Sequence, residues 1–501
     1  MLHLENVVAR LAIAYLLTLS SSVYGWPESY NYEEINMSEK YGRVDDRRQS
    51  EATIIDLKST NQQARILSEH LGSVKVDLLS SYVYRYTGSF WEYMSDARLR
   101  RELAGIFERN HLSFSSSKLE MVVHTMKDII PEIPVSDDEL IGFSNGVYDM
   151  ATNQFRTHDP DDGLLAHNGI IYTAANSAES IQVHAPNFFK WLSYAAEGCM
   201  DKMDRITAAL FMVLTHRYDW QLFLEVTGSG GSGKSIMANL CALLVGSRNI
   251  GSSSMRLLDS DFGLEGLWDK RLILLPDQPK YIGDGAILKA ITGGDAVAIN
   301  RKGKPMFSAK VRAVVLVTNN APMEMTERNG GIARRRVIFS FNNVVTDEDS
   351  QIESKISNEL PVIIRYLLSQ YPEPMKAKRQ LLAQRGSMDA IVVKREADPL
   401  FDLCTMVEFM PKANGLRMGG KTDIKREPHK FFYHLYLSYM HYHGIDNTLS
   451  VNAVSRALKQ IAKELGSEYR VRSSNGTVTN IVLTKRVDEF LLGATDYMES
   501  E

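Results

Sequence analysis

The run Gly228-Ser229-Gly230-Gly231-Ser232-Gly233-Lys234-Ser235 constrains this chain more than any other feature. It fits GxxxxGK[ST] in full, following an apolar, strand-like stretch at 222–226 and preceding a helix-periodic stretch at 236–245. A strand that turns through glycines into a helix does specific chemistry. Its backbone N–H groups wrap phosphate oxygens, and the helix N-terminus adds positive potential. In that frame Lys234 reaches the β- and γ-phosphates and Ser235 ligates a divalent ion, so ATP and Mg²⁺ are the expected cofactors.

A phosphate cradle serves kinases, GTPases, transporters and helicases alike, and the following residues narrow the class. The apolar run 271–275 ends in Pro276-Asp277. An Asp there reads either as a turn residue or, by its position after the glycine loop, as the Walker B acid that holds Mg²⁺ or its water. A second apolar run, 314–317, closes with Thr318-Asn319-Asn320, so Asn319 is a sensor candidate that orients the attacking water or touches the γ-phosphate. Gly330-Gly331-Ile332-Ala333-Arg334-Arg335-Arg336 then precedes the strand-like 337–341. Arg334 and Arg335 read either as a solvated basic turn or as arginine fingers reaching a neighbouring subunit's site. The expected catalytic set is Lys234, Asp277, Asn319, Arg334 and Arg335, with Ser235 and Asp277 on the metal.

The 501 residues, 44% apolar and 24% charged, suffice for several cores and suggest three domains. A net charge of −4 gives no global sign of nucleic-acid binding. Cys199, Cys241 and Cys404 lie far apart without metal-ligand or disulfide spacing, which fits a reducing cytoplasm. Arg10 and the apolar run 11–19, closed by Val23-Tyr24-Gly25, resemble a weak signal peptide; Glu5 and the shortness of the run favour a buried or amphipathic first helix or a misassigned start. No stretch reaches the length of a membrane span. Composition shifts divide the chain into a loosely ordered leader with a helix near 64–71 (1–75), a mixed α/β domain (76–202), the nucleotide core (203–410), a Gly- and Lys-rich linker (411–430) and a C-terminal domain (431–501).

With these residues in place the chain resembles superfamily 3 helicases of the AAA+ class, near the phage and plasmid primase-helicases and related to poxvirus-type NTPases. Lys289-Ala290-Ile291-Thr292-Gly293-Gly294-Asp295 followed by Asn300-Arg301-Lys302-Gly303-Lys304-Pro305 resembles the family signature that forms a β-hairpin in the ring channel. Asn145-Gly146-Val147-Tyr148-Asp149 resembles a segment of the domain that precedes the family's ATPase. The resemblance implies an α/β fold: a P-loop AAA+ core preceded by a mixed α/β domain and followed by a winged-helix-like domain. Three departures stand out. Gln278 follows Asp277 where relatives commonly carry Glu at the Walker B position, Arg336 takes a position usually apolar, and no primase domain is evident.

Two basic surfaces are candidates for DNA. Residues 301–312 hold Arg301, Lys302, Lys304, Lys310 and Arg312 with no acid, reading as a solvated hairpin or, with the resemblance, as a pore loop tracking backbone phosphate. Residues 401–486 carry 13 Lys/Arg against 7 Asp/Glu. Helices at 431–443 and 450–465, with Arg456, Lys459 and Lys463 exposed, and strands around Asn475-Gly476 suggest a winged helix that binds DNA, or alternatively a protein.

The expected function is an ATP-dependent DNA helicase, a hexameric homo-oligomer acting in phage, prophage or plasmid replication. Its expected partners are single-stranded or forked DNA and a possible separate primase, with no membrane. A regulatory ATPase acting on proteins is the alternative, and a small-molecule kinase leaves the basic hairpin and tail unused.

Overall fold

The computed structural model describes residues 59–175, 178–278, 285–323, 331–345, 349–420, 426–445 and 448–498. The signal-like run 10–25 and the rest of the expected leader up to residue 58 lie outside them.

The helix Thr60–Leu71 starts at a reciprocal cap: the Ser59 hydroxyl accepts from Gln62 N, and the Gln62 side chain accepts from Ser59 N. Its Ala64, Leu67 and Leu71 fall on one face and enter a core shared with the helices Asp96–Arg109 and Ser116–Ile129. Against these packs an antiparallel sheet of β1 (Val74–Asp77), β2 (Tyr82–Tyr86) and β3 (Trp91–Met94). This helix therefore belongs to the first packed domain, which begins ahead of the expected residue 76. A second antiparallel sheet follows, with β4 (Leu140–Phe143), β5 (Gly146–Asp149) and β6 (Gln154–Arg156). The Asn145 amide ties its β4–β5 turn to Tyr172, accepting from that residue's N–H and donating to its carbonyl, each at 2.9 Å.

The centre is a five-stranded sheet in which every pair is parallel, in the order β13-β7-β12-β9-β8. Its strands are β7 (Phe223–Thr227), β8 (Ile250–Ser252), β9 (Leu272–Pro276), β12 (Val314–Asn319) and β13 (Arg336–Ser340), and the antiparallel hairpin of β10 (Ala296–Arg301) and β11 (Lys304–Lys310) is inserted between β9 and β12. Both faces are covered, so these strands are apolar almost throughout. Leu224, Val226, Val314 and Leu316 face a helical layer that includes Met200–Leu214 and Lys234–Val245, while Phe223, Ile273, Leu275, Val315 and Val317 face the layer that holds the hairpin. The helix Pro186–Ala195 contributes Phe188, Trp191 and Leu192 to the first of these cores. The expected boundary at 203 therefore falls inside a packed unit. The Glu359 carboxylate closes that helix's first turn, accepting from Asn187 N at 3.1 Å and Phe188 N at 2.8 Å, where free amides and the helix dipole favour an anion.

The C-terminal core begins with Leu400, Phe401, Leu403 and Cys404, ahead of the expected residue 431. It holds the helices Phe432–Tyr442 and Val451–Glu464, a pairing of β14 (Val407–Phe409) with β17 (Ile481–Leu483), and a hairpin of β15 (Val471–Ser473) with β16 (Thr477–Thr479). The expected linker is corrected in its first half. Gly415 N, Leu416 N and Met418 N donate to the carbonyls of Thr479, Ile481 and Thr477, which builds this segment into the domain. Gly415 is required there because a Cβ would stand 2.0 Å from Ile481 O.

Candidate functional site

β7 delivers the glycine loop to the carboxyl edge of the parallel sheet, the edge where open α/β sheets bind ligands. Close backbone approach explains two of its glycines. At Gly228 (φ 153°) a Cβ would lie 2.2 Å from Phe341 O, and at Gly233 (φ 90°) one would lie 2.9 Å from Trp191 Nε1. The loop is further pinned by Val345 N, which donates to Gly231 O at 3.1 Å. Lys234 opens the helix Lys234–Val245, and its ammonium folds back to donate to Gly228 O and Ser229 O, both at 2.7 Å. Partial burial holds the Lys234 pKa below its ordinary value, with the Asp277 charge pulling the other way. The Ser232 hydroxyl is buried and has no hydrogen-bond partner among the described residues.

The neighbouring strand ends bring the remaining candidates alongside. β12 lies between β7 and β9, with Asn319 opposite Thr227 and Thr318 opposite Pro276. Asp277 leaves β9 in a left-handed turn (φ 46°), its N–H donating to Thr318 O at 2.8 Å and its side chain exposed. Asn319 is buried; its Oδ1 accepts from Gln278 N at 2.6 Å, and its Nδ2 has no partner among the described residues. Gln278, at the position where Glu was the expectation from relatives, is a brace: Nε2 donates to Pro276 O at 2.6 Å and Oε1 accepts from Met255 N at 2.8 Å.

These groups suit a phosphate chain carrying a hard cation. Lys234, the Ser232 hydroxyl, the Asn319 amide and the loop N–H groups of Ser229, Gly230 and Gly231 are donors, while Ser235 and Asp277 supply oxygen ligands. A buried donor left without a partner costs about 1–3 kcal/mol, so the Asn319 amide is stabilised by whatever accepts from it.

The arginine cluster separates in space. Arg334 is exposed at the one-turn 3₁₀ helix Ala333–Arg335. Arg335 turns into its own subunit, with Nη1 donating to Gly331 O at 2.9 Å and Nη2 3.2 Å from where a Cβ on Gly293 would lie, which corrects its reading as a finger presented to a neighbour. Arg336 is engaged by Glu225 within the sheet.

The hairpin also divides. Arg301 is only 7% exposed, which corrects its assignment as a DNA contact. It donates to Ser80 O at 2.8 Å and Pro305 O at 2.9 Å, and its guanidinium lies 4.8 Å from the Phe307 ring centroid and 5.4 Å from that of Tyr82. Lys304 leans the same way, 3.7 Å from Asp96, whereas Lys302 is exposed at the hairpin turn. On the helix Val451–Glu464, Arg456, Lys459 and Lys463 are all exposed, at spacings that place them on one face. Sequence reasoning missed Glu225, Glu359 and Trp191. A lone Glu inside the apolar run 222–226 was a visible signal for the first; nothing local marks the others.

Comparison with known proteins gives two family matches. One, described as D5 N terminal like, covers residues 64–194, and the other, a family of unknown function (DUF5906), covers residues 226–336. An uncharacterized mitochondrial protein of Marchantia polymorpha is 29% identical over 106 residues, 20% of this chain and 64% of that protein. A protein of Acanthamoeba polyphaga mimivirus named "Putative helicase" is 25% identical over 227 residues, 43% of this chain and 23% of that protein. The chain thus spans less than two thirds of either relative. Among solved structures, the apo NrS-1 C terminal region is 15% identical with a TM-score of 0.47, covering 85% of this chain and 100% of that one. The phage P4 origin-binding domain is 35% identical over 19% of this chain and 94% of that one, with a TM-score of 0.18. The D5-type match and the mimivirus relative each cover less than half of this chain. Among the described residues no helix is long and apolar enough to cross a membrane.

Proposed function

We propose that this chain is an ATP-driven DNA helicase of the superfamily 3 AAA+ kind, acting as a hexameric ring in phage- or plasmid-type replication. One observation carries the reading: the glycine loop, Asn319 and Asp277 stand at the carboxyl ends of three adjacent parallel strands, with a buried Asn319 donor unpartnered among the described residues. In this reading Lys234 leaves the loop carbonyls for the β- and γ-phosphates, and Ser235 and Asp277 hold Mg²⁺, which neutralises charge as the phosphoryl group transfers. Asn319 orients the attacking water. Arg334, exposed and without a side-chain hydrogen bond among the described residues, is the residue that reaches a neighbouring subunit and gives a ring its chemical purpose. DNA contact falls to Lys302 on the hairpin and to Arg456, Lys459 and Lys463 on a winged-helix-like C-terminal domain.

The test is ATP turnover by the full chain with and without single-stranded DNA, together with strand displacement from a fork. DNA-stimulated hydrolysis with displacement is the expected result. Turnover indifferent to DNA, without displacement, would leave a regulatory ATPase acting on proteins.

A further inference from the structure

A cavity of about 490 Å³ lies between the β1–β2 turn, the segment 132–138, the start of β9 and the β10–β11 hairpin. It is separate from the glycine-loop site. Arg271 precedes β9 and Asp277 follows it, and at ~3.3 Å per extended residue these positions are about 20 Å apart.

Arg271 is the informative residue of its lining. Its backbone is fixed, with N donating to Asn249 O and O accepting from Val314 N, both at 2.9 Å. Its guanidinium has no hydrogen bond or ion pair among the described residues, although it presents five donors and keeps some exposed surface. Burial depresses its pKa, with the Asp138 charge pulling the other way and Arg312 adding to the depression. Exposed Lys310, also in the lining, is likewise unpaired among the described residues. The hydrogen bonds and ion pairs of the lining acids go elsewhere, although the Asp138 charge is felt at Arg271. Asp77 accepts from the N–H groups of Leu79 and Ser80, Asp138 from Tyr218 and Arg312, and Asp269 pairs with Lys270, leaving Glu132 exposed at the edge.

The remaining wall is aromatic and apolar. Trp268 meets Phe307 edge to face at 5.2 Å, and the Tyr84 hydroxyl, unbonded among the described residues, lines the same space. Leu79 and Val135 stand 66% and 79% exposed at the mouth, an apolar rim that a flat ligand would cover. The volume lies within the usual range for a small organic ligand, ~300–1,000 Å³.

We propose that this cavity binds a nucleoside monophosphate, its phosphate on Arg271 and Lys310 and its base against Trp268. Because β11 supplies Phe307 and Lys310, the bound nucleotide ties the hairpin to the segment that precedes β9. The inference stands apart from the ATPase reading, since AMP lacks the phosphates assigned to Lys234.

The test is calorimetric titration of the full-length Lys234→Ala protein with AMP, adenosine and inorganic phosphate. We expect one AMP bound per chain, with adenosine and phosphate each at least tenfold weaker. Adding Arg271→Met should weaken AMP at least tenfold, and adding Lys310→Ala, at an exposed position that does not threaten the fold, severalfold. No AMP binding to the Lys234→Ala protein would overturn the proposal. So would adenosine binding as tightly as AMP, or an affinity indifferent to Lys310→Ala in folded protein. Loss of hydrolysis with AMP binding retained would show the two sites to be independent.

Discussion

Arg336 grips Glu225 with two edges of its guanidinium, Nε to Oε2 at 2.6 Å and Nη2 to Oε1 at 2.8 Å, inside the sheet that carries the glycine loop. Glu225 is fully buried two residues before that strand ends, and its Oε1 also accepts from Met323 N at 2.8 Å, in the segment that leaves Asn319. One carboxylate thus ties together β7, β13 and the exit from β12. Removing one partner strands the other's charge, so Glu225→Gln should destabilise the protein by about 3–5 kcal/mol, with Arg336→Met similar. The double variant Glu225→Leu/Arg336→Met should recover much of that loss. Urea unfolding followed by tryptophan fluorescence checks this, and a Glu225→Gln midpoint equal to wild type would reject the pairing as a structural tie.

Lys234→Ala should abolish ATP hydrolysis without loosening the fold, because among the described residues the half-exposed side chain donates only to loop carbonyls. Asp277→Asn should retain nucleotide and lose most turnover, as Mg²⁺ is held less well. Turnover assays beside nucleotide-binding titrations separate the two. Unchanged rates for either variant would reassign that role.

Asn319→Asp keeps the acceptor that holds Gln278 N and removes the free Nδ2 donor. Turnover should fall on the order of 10²-fold, the usual cost of losing one transition-state donor. The melting temperature should also fall, because the substitution buries a carboxylate with one oxygen unpaired, so turnover is compared at a temperature where the variant is folded. A large loss of stability with normal turnover would make Asn319 a brace alone.

The hairpin's basic residues should respond differently. Lys302→Ala should reduce the salt slope of DNA binding by about 1 with the fold intact, since an exposed lysine contacts phosphate. Arg301→Ala should instead lower stability, because it empties a site between Phe307 and Tyr82 and leaves Ser80 O without its donor. If Lys302→Ala leaves the slope unchanged, the hairpin is not a phosphate contact.

Mixing Arg334→Ala with Lys234→Ala subunits should restore part of the hydrolysis that each lacks, because some interfaces would join an intact loop to an intact arginine. Arg335→Ala should not complement in this way, given its donation to its own chain's Gly331 O. Co-assembled mixtures as inactive as their parents would remove Arg334 from a trans role.

The sequence by itself determined what depends on local rules. Gly228 to Ser235 announced a strand, a tight loop and a helix, and the helix, β7 and β12 lie where apolar periodicity put them, within a residue or two. Ser450, capping Val451–Glu464 through Ala453 N, and the positive φ of Asn475 and Gly476 are equally local signals. Tertiary structure alone decided which charges work and which are packed. Arg301 and Lys302 are neighbours in one basic run, yet the first turns inward to contacts that include Tyr82 and Ser80, far earlier in the chain. Arg334, Arg335 and Arg336 are consecutive, yet Arg335 is held by Gly331 O beside Gly293 and Arg336 by Glu225, while Arg334 stays exposed. Residues 411–418 have a linker's composition, but β16 and β17 supply partners for their amides. The physical reason is common to these cases. A side chain's exposure and pairing are set by groups brought close only when distant segments pack, and no local pattern encodes that proximity.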